Sequence, residues 1–206
     1  MNRTPRRTIL PIALASLLAV IAPGCQGDGA ALAFDSPDTQ AASAAAFELR
    51  SPAFADGQPI AARHSAYGED ISPALAWQPV EGARTYALVM EDPDADRPAP
   101  YVHWVAWNIP AGTTSLPEGL PMEPQLANPD GMRQGHNDRG STGYFGPRPP
   151  AGTGLHHYHF QVFALDAALD LAPDTGRDAL LNAMRGHVIG KARLVGTYAA
   201  PQESAD

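Results

Sequence analysis

The sequence predicts a mostly β fold with a few helices, and three observations carry that reading. From Phe47 onward, short apolar runs are separated by clusters of Pro and Gly, the pattern of many short strands joined by turns. The clearest runs, Tyr86–Met90, Val102–Ile109, Tyr158–Leu165 and Leu194–Tyr198, are rich in aromatic and β-branched residues, which suit a pleated, half-buried surface. Only one segment has helical periodicity: Ala179, Leu180, Ala183 and Met184 recur at helical spacing, Asp174 or Thr175 can cap its start, and Gly186 can close it.

Composition narrows the function classes. The 206 residues are 44% hydrophobic and 17% charged, which leaves room for one ordinary globular domain with appendages and excludes collagen, coiled coil and wholesale disorder. Fourteen basic residues against 22 acidic ones give a net charge of -8, the opposite of the basic stripe that binds phosphate backbones, so no nucleic-acid partner is expected. A single cysteine can build neither an internal disulfide nor a cysteine-based zinc site.

Taken in order, the chain opens with Arg3, Arg6 and Arg7, followed by an uncharged apolar run from Ile9 to Ile21 that is too short to span a bilayer as a mature helix. The run ends in Ala22-Pro23-Gly24-Cys25, an arrangement that resembles a bacterial lipoprotein signal covering residues 1–24, with Cys25 as the acylated first residue of the mature chain. A plain secretory signal with an incidental cysteine and a twin-arginine signal at Arg6-Arg7 are the alternatives. Removing residues 1–24 takes away three arginines and no acid, which leaves a mature charge of -11. Residues 25–46 are mostly Ala, Gly, Ser, Asp and Gln, too poor in apolar bulk to fold alone, and are expected to be a flexible tether. In a Gram-negative cell, Gln26 after a lipidated cysteine favours the periplasmic face of the outer membrane. Residues 47–199 form the domain and 200–206 a tail. Within the domain, Leu116 to Gly154 reads as one long irregular region, dense in Gly, Pro, Asn and Asp.

Three clusters carry candidate chemistry. Glu91-Asp92-Pro93-Asp94-Ala95-Asp96 places four carboxylates directly after an apolar strand, where a solvated strand end is the plain alternative. His103-Trp104 opens the next strand, and a lone histidine there is more often structural. The third, Gly146-Pro147-Arg148-Pro149-Pro150 through Gly154-Leu155-His156-His157-Tyr158, is a stiff loop running into a strand. Strand alternation puts His156 and Tyr158 on one face and His157 and His159 on the other. Proline has no N–H and restricts its neighbours, so a Pro-Pro rim can hold nearby backbone N–H groups open to a ligand.

In this order the clusters resemble the phosphatidylethanolamine-binding protein (PEBP) family, in its bacterial Raf-kinase-inhibitor-like branch (YbhB/YbcL type). The likeness runs through Asp92-Pro93-Asp94-Ala95, Val102-His103-Trp104, Asn108-Ile109-Pro110, Gly135-His136-Asn137-Asp138, Gly143-Tyr144 and Gly146-Pro147 to Tyr158. It extends outward to Leu49-Arg50-Ser51-Pro52, Ile71-Ser72-Pro73-Ala74-Leu75 and Gly186-His187-Val188-Ile189-Gly190, and covers residues 47–199. The resemblance implies a central antiparallel β-sheet, a smaller second sheet and peripheral helices, with a small pocket for phosphate or a phosphoryl head group. Carried over, that pocket holds Asp92, His103, His156 and Tyr158, rimmed by Gly146, Pro149 and Pro150. The proline-rich Asp96 to Tyr101 segment could hold a cis bond at the pocket edge, and no residue in it is assigned to the ligand.

The reading is an exported, lipid-anchored protein that binds a small anion or phosphorylated head group, with no catalytic residue, metal or cofactor. The alternative is an inhibitor of a protease or other protein partner, since the family resembled includes such inhibitors. A third is a hydrolase-type enzyme: His103, His156 and Asp92 could act as acid and base, but no nucleophile is evident. Three His and one Asp could hold zinc, yet that set is equally natural for an anion pocket.

Overall fold

The four apolar runs form the middle of one large sheet. The computed structural model describes residue 1, residues 31–41 and residues 44–202. The signal segment and Cys25 lie outside the described residues. Four long strands make the centre: β5 (Thr85–Asp92), β6 (Tyr101–Pro110), β10 (Leu155–Leu165) and β11 (Val188–Ala199). They pair antiparallel in the order β11-β10-β5-β6, and β9 (Asp130–Gln134) and β8 (Gln125–Ala127) extend the sheet beyond β6. At the other side β1 (Ala45–Ala46) and β3 (Gln58–Pro59) pair with β11 in parallel, so the sheet is mixed rather than purely antiparallel. A second sheet joins β2 (Leu49–Arg50), β4 (Leu75–Trp77) and β7 (Ser115–Leu116).

Both faces of the large sheet are covered, which explains why its central strands read as continuous apolar runs. Along β5, Tyr86, Leu88 and Met90 pack toward the small sheet with Leu75, Trp77 and Leu116, while Ala87 and Val89 pack on the other face. There they meet Leu180, Leu181 and Met184 of α1 (Arg177–Met184), the one α-helix among the described residues. Its N-cap is Gly176, with no side-chain cap, so neither Asp174 nor Thr175 takes the expected role. The Thr175 hydroxyl instead donates to the Ala172 carbonyl at 2.7 Å. Gly186, at φ 81°, turns the chain out of the helix as expected.

Three expectations need correction. The region from Leu116 to Gly154 is not wholly irregular, because β8 and β9 fold back as a hairpin on the edge of β6. The cis peptide bond among the described residues is Asn128-Pro129, in that hairpin, and not in the Asp96 to Tyr101 segment. Residues 31–39, expected to swing free as part of the tether, lie against the helix-bearing face of the large sheet with Ala33, Ser36 and Thr39 buried. Counting apolar bulk missed this, because polar contacts hold the segment. Ala33 N–H donates to the Glu91 carboxylate at 2.7 Å and Phe34 N–H to Gln161 Oε1 at 2.6 Å.

Candidate functional site

The site sits where β5, β6 and β10 end together. Asp92 is the last residue of β5 and His156 the second of β10, and strand alternation points both to the same side as Met90 and Tyr158. His103 reaches that side by a different route. Met90 pairs with Trp104 but Glu91 with Val102, so His103 is the extra residue of a β-bulge. A bulge re-aims a side chain, and here it turns the imidazole edge-on to the Tyr158 ring at 5.1 Å.

Around these residues lies a cavity of about 350 Å³, lined by Asp92, His103, Pro149, Pro150 and His156 from the predicted set. The other two predicted residues stand behind the lining. Tyr158 is fully buried, its ring stacked 6.5 Å from His156, and its hydroxyl lies next to Asp92 without a hydrogen bond of good geometry among the described residues. Burial, with the neighbouring Asp92 charge, pushes that phenol well above its usual range, so it stays protonated. Gly146 packs against the chain at residues 64–65: its N–H donates to Asp70 at 2.6 Å, and a Cβ there would lie 2.2 Å from the His64 carbonyl oxygen.

The two histidines are held differently. His103 Nδ1 faces the Phe145 carbonyl at 2.7 Å and therefore carries its proton, which leaves Nε2 as the atom free for a ligand. Burial pushes the His103 pKa below its ordinary value, so the imidazole is neutral in the free protein near pH 7. His156 has both nitrogens engaged: Nδ1 with Asp92 Oδ2 at 2.8 Å, and Nε2 with the Thr153 hydroxyl at 2.9 Å. Asp92 Oδ1 accepts from the Asp94 N–H at 2.8 Å, so this carboxylate is fixed at both oxygens.

Sequence reasoning missed the basic groups. Arg97, Tyr101 and Arg148 line the cavity, as does Phe145, whose ring stacks 5.4 Å from His103. Arg97 is held by Asp138 at 2.7 Å, whereas Arg148 reaches only the Ala66 carbonyl, at 3.4 Å, beside the Tyr67 ring. The sequence did contain a signal for Arg148, which lies inside the Gly146 to Pro150 cluster. Nothing in the spacing pointed to Arg97. His157 lies off the cavity on the opposite face, where it pairs with Asp94 at 2.7 Å in solvent, as the alternation argument expects. Among the described residues no three His, Cys, Asp or Glu side chains come together in a way that could hold a metal ion.

Chemically, the site offers one buried neutral imidazole, one buried phenol and a guanidinium without a carboxylate partner. The guanidinium donates to an oxyanion outright, whereas His103 Nε2 carries no proton while the ring is neutral and donates only once the imidazole takes one up. The Asp92, His156 and Thr153 chain has the connectivity of an activated hydroxyl. The Thr153 oxygen also lies 2.8 Å from the Pro150 carbonyl, and the hydroxyl has one proton to give. If that proton goes to Pro150, the oxygen accepts from His156 and is not activated.

The chain is similar in sequence and fold to known proteins. The sequence model of the phosphatidylethanolamine-binding protein family matches residues 50–199. A UPF0098 protein of Methanothermobacter thermautotrophicus is 46% identical over 151 residues, 73% of this chain and 97% of the relative. LppC of Mycobacterium tuberculosis, a chain named as a lipoprotein, is 38% identical over 209 aligned positions, 96% of this chain and 99% of its own. Among solved structures, Escherichia coli YbcL, described as a member of the mammalian PEBP family, superposes with a TM-score of 0.69 at 31% identity over 75% of this chain and 99% of its own.

Proposed function

The chain belongs to the phosphatidylethanolamine-binding protein family, and from that premise we propose that it is an exported, lipid-anchored binding protein whose cavity receives a small anion or phosphorylated head group. The observation that carries the reading is the cavity's own chemistry. Arg148 has no carboxylate partner among the described residues, and it lines with His103 a cavity of about 350 Å³, room enough for a phosphorylated head group. A guanidinium without a carboxylate partner, next to an imidazole that can take up a proton, supports an oxyanion as the polar end of the ligand. Anchoring through Cys25 is supported by the apolar run before it and by the lipoprotein name of LppC.

The test has two arms. Mass spectrometry of what copurifies with the soluble chain, followed by calorimetric titration with phosphate and phosphoethanolamine, reads the ligand. No binding of either sinks the anion assignment. Cys25→Ser, expressed in a bacterial envelope, reads the anchor: the variant is expected to leave the membrane fraction, and wild-type protein that is already fully soluble sinks the lipid assignment.

A hydrolase is the second reading, favoured only by the Asp92, His156 and Thr153 connectivity. It requires turnover of a small activated ester that disappears in Thr153→Ala.

A further inference from the structure

The segment just after the proposed anchor is not merely connecting chain. Glu91 is fully buried, and its carboxylate collects three partners: the Arg177 guanidinium on Oε1, and Ala33 N–H and Gln161 Nε2 on Oε2, each at 2.7 Å. Arg177 in turn donates to the Ala31 carbonyl. One of the buried carboxylate's partners, and one of the arginine's, is therefore backbone of residues 31–33. The same segment seats its Phe34 ring 4.4 Å from Lys191 Nζ and 5.0 Å from the Arg193 guanidinium, while Lys191 also donates to the Phe34 carbonyl at 2.9 Å. Thr39 closes the segment on itself by donating to the Ala33 carbonyl at 2.6 Å. The exposed ion pair of Arg185 with Asp38 adds little. The buried network is what fixes the arm.

We propose that residues 31–39 are a latch: they dock on the Glu91, Gln161 and Arg177 surface so that a chain anchored at Cys25 is held on a short leash, with the sheet face opposite the cavity toward the anchor. The geometry follows from strand alternation. Glu91 and Gln161 project from the face of β5 and β10 opposite to Asp92 and His156. With the arm docked, six Cα–Cα steps separate Cys25 from Ala31 and reach at most about 20 Å. With the arm free, the roughly twenty residues before β1 behave as a coil with a mean span of about 25 Å and a far longer limit. A docked arm presents the cavity away from the membrane at short range, and a free one lets the domain tumble. The proposal needs attachment at Cys25 but not ligand binding, so it stands or falls separately from the anion site.

The test uses the mature chain without an acyl group, coupled through Cys25, its only cysteine, to vesicles carrying a maleimide lipid. This makes the outcome independent of whether cells acylate that residue. Ala33→Pro removes the N–H that Glu91 accepts while leaving the sheet untouched. Leu32, at φ -56° and ψ 151°, already has the backbone a residue before proline adopts. Hydrogen exchange is expected to show residues 33–39 protected by about tenfold or more in the wild type and at free-chain rates in the variant, with β5 and β10 unchanged. Energy transfer from the tryptophans to a dansyl headgroup lipid is expected to fall by about half in the variant. If protection of β5 also falls, Phe34→Ala decides in its place. An arm that exchanges freely in the wild type, an arm still protected in both variants, or equal transfer with and without it overturns the proposal.

Discussion

Glu91 and Asp92 are consecutive residues of β5 that serve opposite faces of the same sheet. Glu91 is buried beneath the N-terminal arm and paired with Arg177, whereas Asp92 lines the cavity and is paired with His156 at 2.8 Å. A strand that alternates faces can carry both jobs only at its end, where one side chain still lies in the core and the next reaches the rim. The acidic run that looks like a solvated strand end therefore splits. Its first two carboxylates are buried and paired, and the last two, Asp94 and Asp96, are exposed, with Asp94 paired with His157.

Affinity for an anion is expected to rise as pH falls, through His103. Burial lowers the His103 pKa in the free protein, and a bound dianion raises it, so protons are taken up on binding between those two values. The change therefore ends below the ordinary histidine value of about 6.5. Sulfate is the probe, because its own charge is constant over this range. Calorimetry between pH 5 and 8 that finds affinity flat, or rising with pH, removes His103 from the ligand.

Arg148→Ala is expected to weaken binding of phosphoethanolamine about tenfold or more, the cost of one hydrogen bond to a charged group, about 1.5–3 kcal/mol. His157→Ala breaks only a solvent-exposed pair with Asp94 on the far face and is expected to leave affinity within twofold. Equal losses in the two variants would place the ligand outside this cavity.

Thr153→Ala separates a cover from a ligand. The Thr153 hydroxyl occupies His156 Nε2 at 2.9 Å, so an anion that uses this nitrogen must displace it. Removing it is expected to raise affinity by about two- to tenfold, the net worth of an ordinary hydrogen bond. A fall of the same size makes Thr153 itself a ligand group.

Much of this site was legible in the sequence, and the parts that were not share a cause. Period-2 alternation suffices to put His156 with Tyr158 and to exclude His157, because β10 runs without irregularity from Leu155 to Ala164 along β11. It does not suffice for His103, whose direction is set by the bulge opposite Met90 and Glu91, and a bulge leaves no trace in composition. Arg97 enters the cavity from a proline-rich turn, where neither helical nor strand periodicity applies. The low apolar content of residues 31–39 predicts a free arm, yet a buried carboxylate and arginine hold it mainly through its backbone, which any sequence possesses. The centre of the large sheet follows from apolar runs and α1 from helical spacing, whereas the small sheet was implied only by the family resemblance, and the two-residue strands β1 and β3 are too short to show a pattern.

Gly146→Ala is expected to destabilise the domain and to disturb the cavity only indirectly. The resemblance to the family made Gly146 a rim residue, but the structure turns it toward the 64–65 segment, where an added Cβ would meet the His64 carbonyl oxygen at 2.2 Å and Ser65 Cα at 2.9 Å. Both are backbone, so the clash cannot be relieved by a rotamer. The chain at Phe145 to Pro147 must move, and with it the Gly146 N–H to Asp70 hydrogen bond at 2.6 Å and the Phe145 carbonyl that fixes the His103 tautomer at 2.7 Å. Overpacking of this kind costs about 1–3 kcal/mol. For a domain of this size that is a fall in Tm of roughly 2–10 °C by calorimetry. If Tm is unchanged while anion affinity collapses, Gly146 contacts the ligand directly. If both fall together and affinity recovers at lower temperature, its role is to hold Phe145 and His103 in register.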